Sequence, residues 1–283
     1  YHLAHVVAKD SGDASMAVSA AWNASQRGDA RLKSEDDEAG APTKFPDRFH
    51  VGQLPPPPPA PESFTVTFAT DVKHGSGKIA VEVNRSWAPL GADRFYAAVS
   101  AGFYDNSAFF RVVAPNALGC VPTCGGIVQF GISGNKTLNS KWLGSHIKDD
   151  PVTQSNTAGA INFADAGPNT RSTELVFMLG DNTKQDAKGF APFGRITSAA
   201  GLATARAIYN PTPSDTGGVD QGKYIARGNS WINSTYPGVN FIDTATVTVA
   251  GELFKTLKTD DDEGSAVDRT AQKPFFFTSP LAH

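Results

Sequence analysis

Apolar and polar residues alternate through FTVTFAT (64–70) and IAVEVN (79–84), with the glycine turn KHGSGK (73–78) between them. A period of two over runs rich in Thr, Val and Phe predicts two strands joined as a hairpin. The period then changes. In ADRFYAAVSAGF (92–103), Phe95, Val99 and Phe103 recur at every fourth position, which predicts an amphipathic helix ending near Gly102. SAAGLATARAIY (198–209) predicts a second helix, stopped at Asn210-Pro211. GKYIARGN (222–229) and TATVTVAGEL (244–253) read as late strands. Short runs bounded by Gly, Pro and Asn, with two helices among them, predict a mainly β fold: a closed antiparallel barrel with helical caps.

Both ends depart from this pattern. Ala14–Leu32 is alanine-rich, with Met16, Val18 and Trp22 at helix-compatible spacing, and the charged stretch SEDDEAGAP (34–42) follows it. The five prolines Pro55–Pro59 favour an extended polyproline II spacer. After Lys258 comes the charged TDDDEGSAVDRTAQ, then KPFFFTSPLAH (273–283). The expected organisation is an N-terminal extension over 1–63, a barrel over 64–255 and a C-terminal tail over 256–283. Ordering such an arm costs about 1–2 kcal/mol per residue in backbone entropy, so something must hold it: a neighbouring subunit or its own domain. Phe275–Phe277 also need an apolar surface. Other protein subunits, reached through the termini, are therefore expected partners.

Composition narrows the function classes. With 283 residues and 40% hydrophobic content the chain can bury a sizeable core, and a net charge of −3 gives no electrostatic footprint for nucleic acid. No apolar run approaches the roughly 18–20 residues of a membrane span. The first residue is Tyr1 rather than Met, which predicts a processed N-terminus. Cys120 and Cys124, in CVPTC, have no histidine near them and make a poor zinc site. They form either a small disulfide-closed loop or two free thiols, and an all-or-none pair favours the disulfide. Asn-x-Ser/Thr sequons stand at Asn23, Asn84, Asn135 and Asn233 as glycosylation candidates. Together these features predict a secreted or lumenal protein. His2 and His5 read as solvated residues, GSGK lacks phosphate-loop spacing, and no G-x-S-x-G elbow is present. No cofactor or metal is expected.

Four segments carry the candidate chemistry: FFRVV (109–113), IVQFGISG (127–134), INFADAGPNTRSTELVFML (161–179) and GFAPFGRI (189–196). Their order and wording resemble the cyclophilin family of peptidyl-prolyl isomerases over about residues 64–250. They resemble in particular a branch reading VQFGISG, DDPV, SN, FA-AGPNTR and GFAPFG. The resemblance implies a closed eight-stranded barrel capped by two helices, acting on the Xaa-Pro bonds of proline-containing peptide or protein segments.

Rotating an amide costs about 18–20 kcal/mol. Catalysis needs no nucleophile or metal, only a proline pocket, a fixed cation and polar groups that hold the flanking peptide. The family's arginine in F-x-R matches Arg111, after Phe109, and its glutamine matches Gln129, beside Ile127. Its backbone carrier matches Ala164 and Asp165. The proline pocket departs from the family. Gly126 stands where a phenylalanine is expected, and Glu174 and Val176 replace a glutamine and a phenylalanine. Lys184-Gln185-Asp186 takes the place of a Trp/Leu-Asp pair, and Phe190 stands where a histidine often closes the site. The carboxylate of Glu174 is also expected to engage Arg111 and tie up its guanidinium. Two functions follow: a slow peptidyl-prolyl isomerase, or a cyclophilin-fold interaction subunit of a larger assembly.

Overall fold

The computed structural model of the chain describes residue 54, residues 56–116 and residues 125–249. Its strands are β1 (Ser63–Thr70), β2 (Lys78–Asn84), β3 (Ser107–Ala108), β4 (Arg111–Val113), β5 (Ile127–Phe130), β6 (Ala160–Phe163), β7 (Leu175–Met178), β8 (Gly194–Ile196) and β9 (Phe241–Thr248). Among the described residues they form one antiparallel sheet in the order β3-β9-β1-β2-β8-β6-β7-β5-β4. The predicted hairpin is β1–β2, paired from Ser63↔Asn84 to Ala69↔Lys78.

The expected closed eight-stranded barrel is corrected: among the described residues the sheet has nine strands, is curled but open, and ends on the free edges β3 and β4. These two edges belong to one stretch of chain. Among the described residues β3 pairs only with β9 and β4 only with β5. Phe109 N donates to Asn240 O on the first side, and Phe110 N to Gln129 O on the other. The run thus changes neighbours at Phe109-Phe110 instead of keeping two neighbours along its length, so no continuous ladder closes the sheet.

Alternation decides what each strand buries. β1 and β2 send Val66, Phe68, Ile79, Val81 and Val83 fully into the core, with their intervening residues partly or fully exposed. Phe68 meets Phe130 and Phe177 at centroid separations of 5.5 and 5.9 Å. Each such ring contributes about 1.5–3 kcal/mol through burial. β5, β6 and β7 are buried on both faces. Their second face carries the candidate site.

Helix α1 (Pro89–Ser100) starts earlier than the periodicity predicts because Pro89 supplies a ready first turn. Ala92, Phe95 and Val99 pack into the core. The second predicted helix is α3 (Ala199–Arg206), capped by Ser198, whose side chain accepts from Gly201 N. Three more helices were not foreseen: α2 (Lys136–Trp142), α4 (Gln221–Arg227) and α5 (Asn229–Thr235). The strand expected over 222–229 is therefore corrected to a helix. Asp220 caps it by accepting from Lys223 N, and Tyr224 is buried beside Phe110, Val219 and Ile232.

The described part of the N-terminal extension lies on its own domain. Leu54 packs against the core and its N–H donates to Ser145 Oγ, while Ala60 N donates to Asp93 Oδ1 at 2.8 Å. Residues 1–53 and 250–283, with the expected terminal contacts, lie outside the described residues. No helix among the described residues is long and apolar enough to cross a membrane.

Candidate functional site

Register builds the site. Arg111 pairs with Gln129 across β4–β5, Gln129 with Val176 across β5–β7, and Val176 with Asn162 across β7–β6. Side chains alternate between faces, so these four residues share one face with Val113, Ile127, Met178 and Ala160. Val112, Val128, Ile161 and Phe177 point the other way, into the main core. The outer face gathers its own apolar cluster: Val113, Ile127, Ala160, Ala164, Val176, Met178 and Phe190.

A polar chain crosses this face. Gln129 Nε2 donates to Glu174 Oε2 at 2.7 Å, and Gln129 Oε1 accepts from Arg111 Nη1 at 3.1 Å. Arg111 Nε donates to Thr216 O at 2.6 Å. Arg111 is 2% exposed and Gln129 1%. Desolvation of its carboxyl pushes Glu174 up to about 7, offset in part by the Gln129 hydrogen bond and the Arg111 charge. Gln129 therefore stands between Glu174 and Arg111 and links them.

Over Arg111 lies the stretch 212–220, which the sequence reading did not single out. Asp215 Oδ1 accepts from Gly217 N, Thr212 Oγ1 donates to Asp215 O, and Val219 N donates to Phe110 O. Gly218 has φ +82, and a Cβ there would stand 2.6 Å from Arg111 Cβ. Only glycine lets this backbone lie so close to the arginine stem. The signal was present as the turn-rich composition of NPTPSDTGGVD, but its contact with Arg111 spans more than a hundred residues.

The predicted site residues divide as follows. Arg111, Gln129 and Glu174 come together in the polar chain, and Ile127, Ala164, Val176 and Phe190 in the apolar cluster. Asp165 follows directly on Ala164, and burial pushes its carboxyl up to about 6 despite a hydrogen bond from Gly167 N. Phe109 does not join them; it packs in the main core, 5.5 Å from the Phe130 centroid. Gly126 has φ +80, and a Cβ there would meet Pro115 N at 2.7 Å and Val113 O at 2.8 Å. No phenylalanine can stand at that position without moving the backbone.

Asn156, steadied by Asn162, holds the segment carrying Phe190, and Asn182 holds Gly125-Gly126. Asn162 Nδ2 donates to Asn156 Oδ1, and Asn156 Nδ2 donates to Asp186 Oδ1 and Phe190 O. Asn182 accepts from Gly125 N and donates to Gly126 O. Their only sequence signal was the SN pair at 155–156 and the Asn of INF. Lys184, Gln185 and Asp186 lie on the 3₁₀ turn Thr183–Lys188. Of the sequons, Asn84 caps the 3₁₀ turn Arg85–Trp87, Asn135 caps α2, and Asn233 is exposed on α5. Asn23, Cys120 and Cys124 lie outside the described residues, and among the described residues there is no disulfide.

Comparison with known proteins bears on the family of the chain. The family model for cyclophilin type peptidyl-prolyl cis-trans isomerase/CLD matches residues 65–227. Peptidyl-prolyl cis-trans isomerase-like 1 of Gibberella zeae is 31% identical over 128 residues, covering 44% of this chain and 72% of that protein. Peptidyl-prolyl cis-trans isomerase ppi1 of Schizosaccharomyces pombe is 29% identical over 140 residues, covering 49% of this chain and 84% of that protein. A crystal structure of a cyclophilin type peptidyl-prolyl cis-trans isomerase from Cryptosporidium parvum is 17% identical, with a TM-score of 0.46, covering 66% of this chain and 98% of that one. The matched span runs from within β1 to the end of α4, takes in the whole polar chain of Arg111, Gln129 and Glu174, and exceeds half the sequence: the chain belongs to the cyclophilin-type peptidyl-prolyl cis-trans isomerase family.

Proposed function

We propose that this chain is a slow isomerase of Xaa-Pro bonds, of a branch marked by VQFGISG, AGPNTR and GFAPFG. It acts on proline-containing segments laid along the outer face of β4, β5, β7 and β6. Family membership supports the isomerase reading in general. The enclosure of Arg111 supports the slow one. Lowering a rotation barrier of about 18–20 kcal/mol needs a cation aimed at the twisting amide. Here Arg111 Nε and Nη1 already donate to Thr216 O and Gln129 Oε1, and the Gly218 backbone lies against the arginine stem. A substrate must displace those contacts before it reaches the guanidinium.

Removing one preorganised electrostatic donor typically costs an enzyme about 10²–10³ in rate. Turnover of a chromogenic Xaa-Pro tetrapeptide is therefore expected to fall about two to three orders of magnitude below that of a cyclophilin with an open arginine. Arg111→Ala is expected to remove what remains. A full-speed rate in the unmodified protein would overturn the proposal. Peptide binding without any Arg111-dependent turnover would establish the second reading, an interaction subunit, which the same enclosure favours.

A further inference from the structure

A second constellation, on α1 and the segment after α2, has no part in the isomerisation site. Arg94 is 3% exposed, and its Nε and Nη1 have no hydrogen-bond partner. Its guanidinium carbon stands 5.7 Å from the Trp142 ring centroid, a cation–π contact that steadies the charge without using its donors. Buried donors left unpaired are among the most costly features a fold can keep, so their retention points to a ligand.

Arg94 lines a cleft of about 290 Å³ together with His146 and Lys148. Leu54, Leu90 and Ile147 supply apolar walls. Asp93 also lines the cleft, but its carboxylate is occupied: Oδ1 accepts from Arg85 Nε and Ala60 N, and Oδ2 from Arg85 Nη2. What the cleft offers is positive charge against hydrocarbon. His146 is held below its ordinary value by burial and by the charge of Arg94, as expected of an imidazole placed beside an unneutralised cation.

We propose that this cleft is a second ligand site, for a small carboxylate carried on an apolar body. The volume lies at the lower end of small-molecule pockets, which run from about 300 to 1,000 Å³. The apolar walls favour an amphiphilic monoanion over a phosphate, whose hydration they could not replace. None of Arg111, Gln129 or Glu174 lines the cleft, so occupancy here is independent of the proline site.

Calorimetric titration of the full chain with hexanoate, and with hexanamide as its neutral counterpart, tests the proposal. Hexanoate is expected to bind saturably and at least tenfold more tightly than hexanamide. Arg94→Met, which keeps an unbranched apolar side chain on α1 but removes the charge, is expected to weaken hexanoate at least tenfold, equivalent to about 1.4 kcal/mol. Arg111→Ala should leave hexanoate binding unchanged, which separates this site from the proline site. No saturable binding of hexanoate, equal binding of the two probes, or an Arg94→Met variant that binds like the parent would each overturn it. If circular dichroism shows that Arg94→Met does not fold, the double variant His146→Gln/Lys148→Ala takes its place. Both of those side chains line the cleft, and undiminished affinity there would be equally decisive against the proposal.

Discussion

Replacing Arg171 with alanine is expected to lower the stability of the domain by about 3–5 kcal/mol, the cost of breaking a buried ion pair by removing one partner. Arg171 and Asp150 have side chains only 4% and 3% exposed, with Nη1 3.1 Å from Asp150 Oδ2. Arg171 Nε lies 3.2 Å from Asp149 Oδ1, Nη2 donates to Lys148 O, and the guanidinium stands over the Phe163 ring. Asp150 in turn does what the N-cap of α1 does not. Ala88 offers no capping side chain, and Asp150 accepts instead from Leu90 N and Gly91 N at 3.0 and 2.8 Å. A carboxylate at a helix N-terminus is favourable there, but a buried one also needs its counter-charge. Alanine at 171 leaves Asp150 buried with two backbone donors and no cation. Asp150→Asn should cost less, about 1–2 kcal/mol, because a neutral amide oxygen can still cap α1. Chemical denaturation of both variants measures this. A loss under about 1 kcal/mol for Arg171→Ala, the value of a surface pair, would show that Asp150 is not dependent on Arg171.

That pair also shows how far the sequence could be read. DDPV and AGPNTR were visible as motifs, but their physical link was not, because Asp150 and Arg171 are joined to α1 only by tertiary contacts. The hairpin β1–β2 and helix α1 were legible because each follows a single period and buries one face. α4 was not. Its helical character rests on the Asp220 cap and on Tyr224 packing against Phe110, and GKYIARGN alone carries neither. Barrel closure was expected both from the succession of short bounded runs and from the resemblance, and it failed at the one place where the chain changes neighbours, Phe109-Phe110. At the site, Arg111 and Gln129 were legible because they sit inside short motifs. The cover over Arg111 was not, because Thr216 and Gly218 reach it from a segment with no periodicity of its own.

Glu174→Gln is expected to stabilise the protein at pH 8 by on the order of 2–3 kcal/mol while changing little near pH 4.5. The cause is the carboxyl's place on the outer face. Desolvation raises Glu174 from its ordinary 4.5 to about 7, against the opposing pull of the Gln129 hydrogen bond and the Arg111 charge. Between those two values the folded protein holds a proton that the unfolded chain has released. The contribution of Glu174 is therefore most favourable below pH 4.5, declines as pH rises, and is fully lost above about 7. Glutamine has no charge to desolvate, and its amide oxygen can still accept from Gln129 Nε2, as Glu174 does at 2.7 Å. The difference between the two proteins should therefore open across this window and level off above it. In a domain of this size, about 2–4 °C of melting temperature accompanies each kcal/mol, so a gap of roughly 5–10 °C is expected at pH 8. Other carboxylates titrate equally in both proteins, so subtracting the two melting curves isolates Glu174. A gap that is the same at pH 4.5 and pH 8 would mean that shape rather than charge distinguishes the two side chains. A gap that closes as pH rises would mean that the carboxylate is better paired in the fold than its neighbours Gln129 and Arg111 allow.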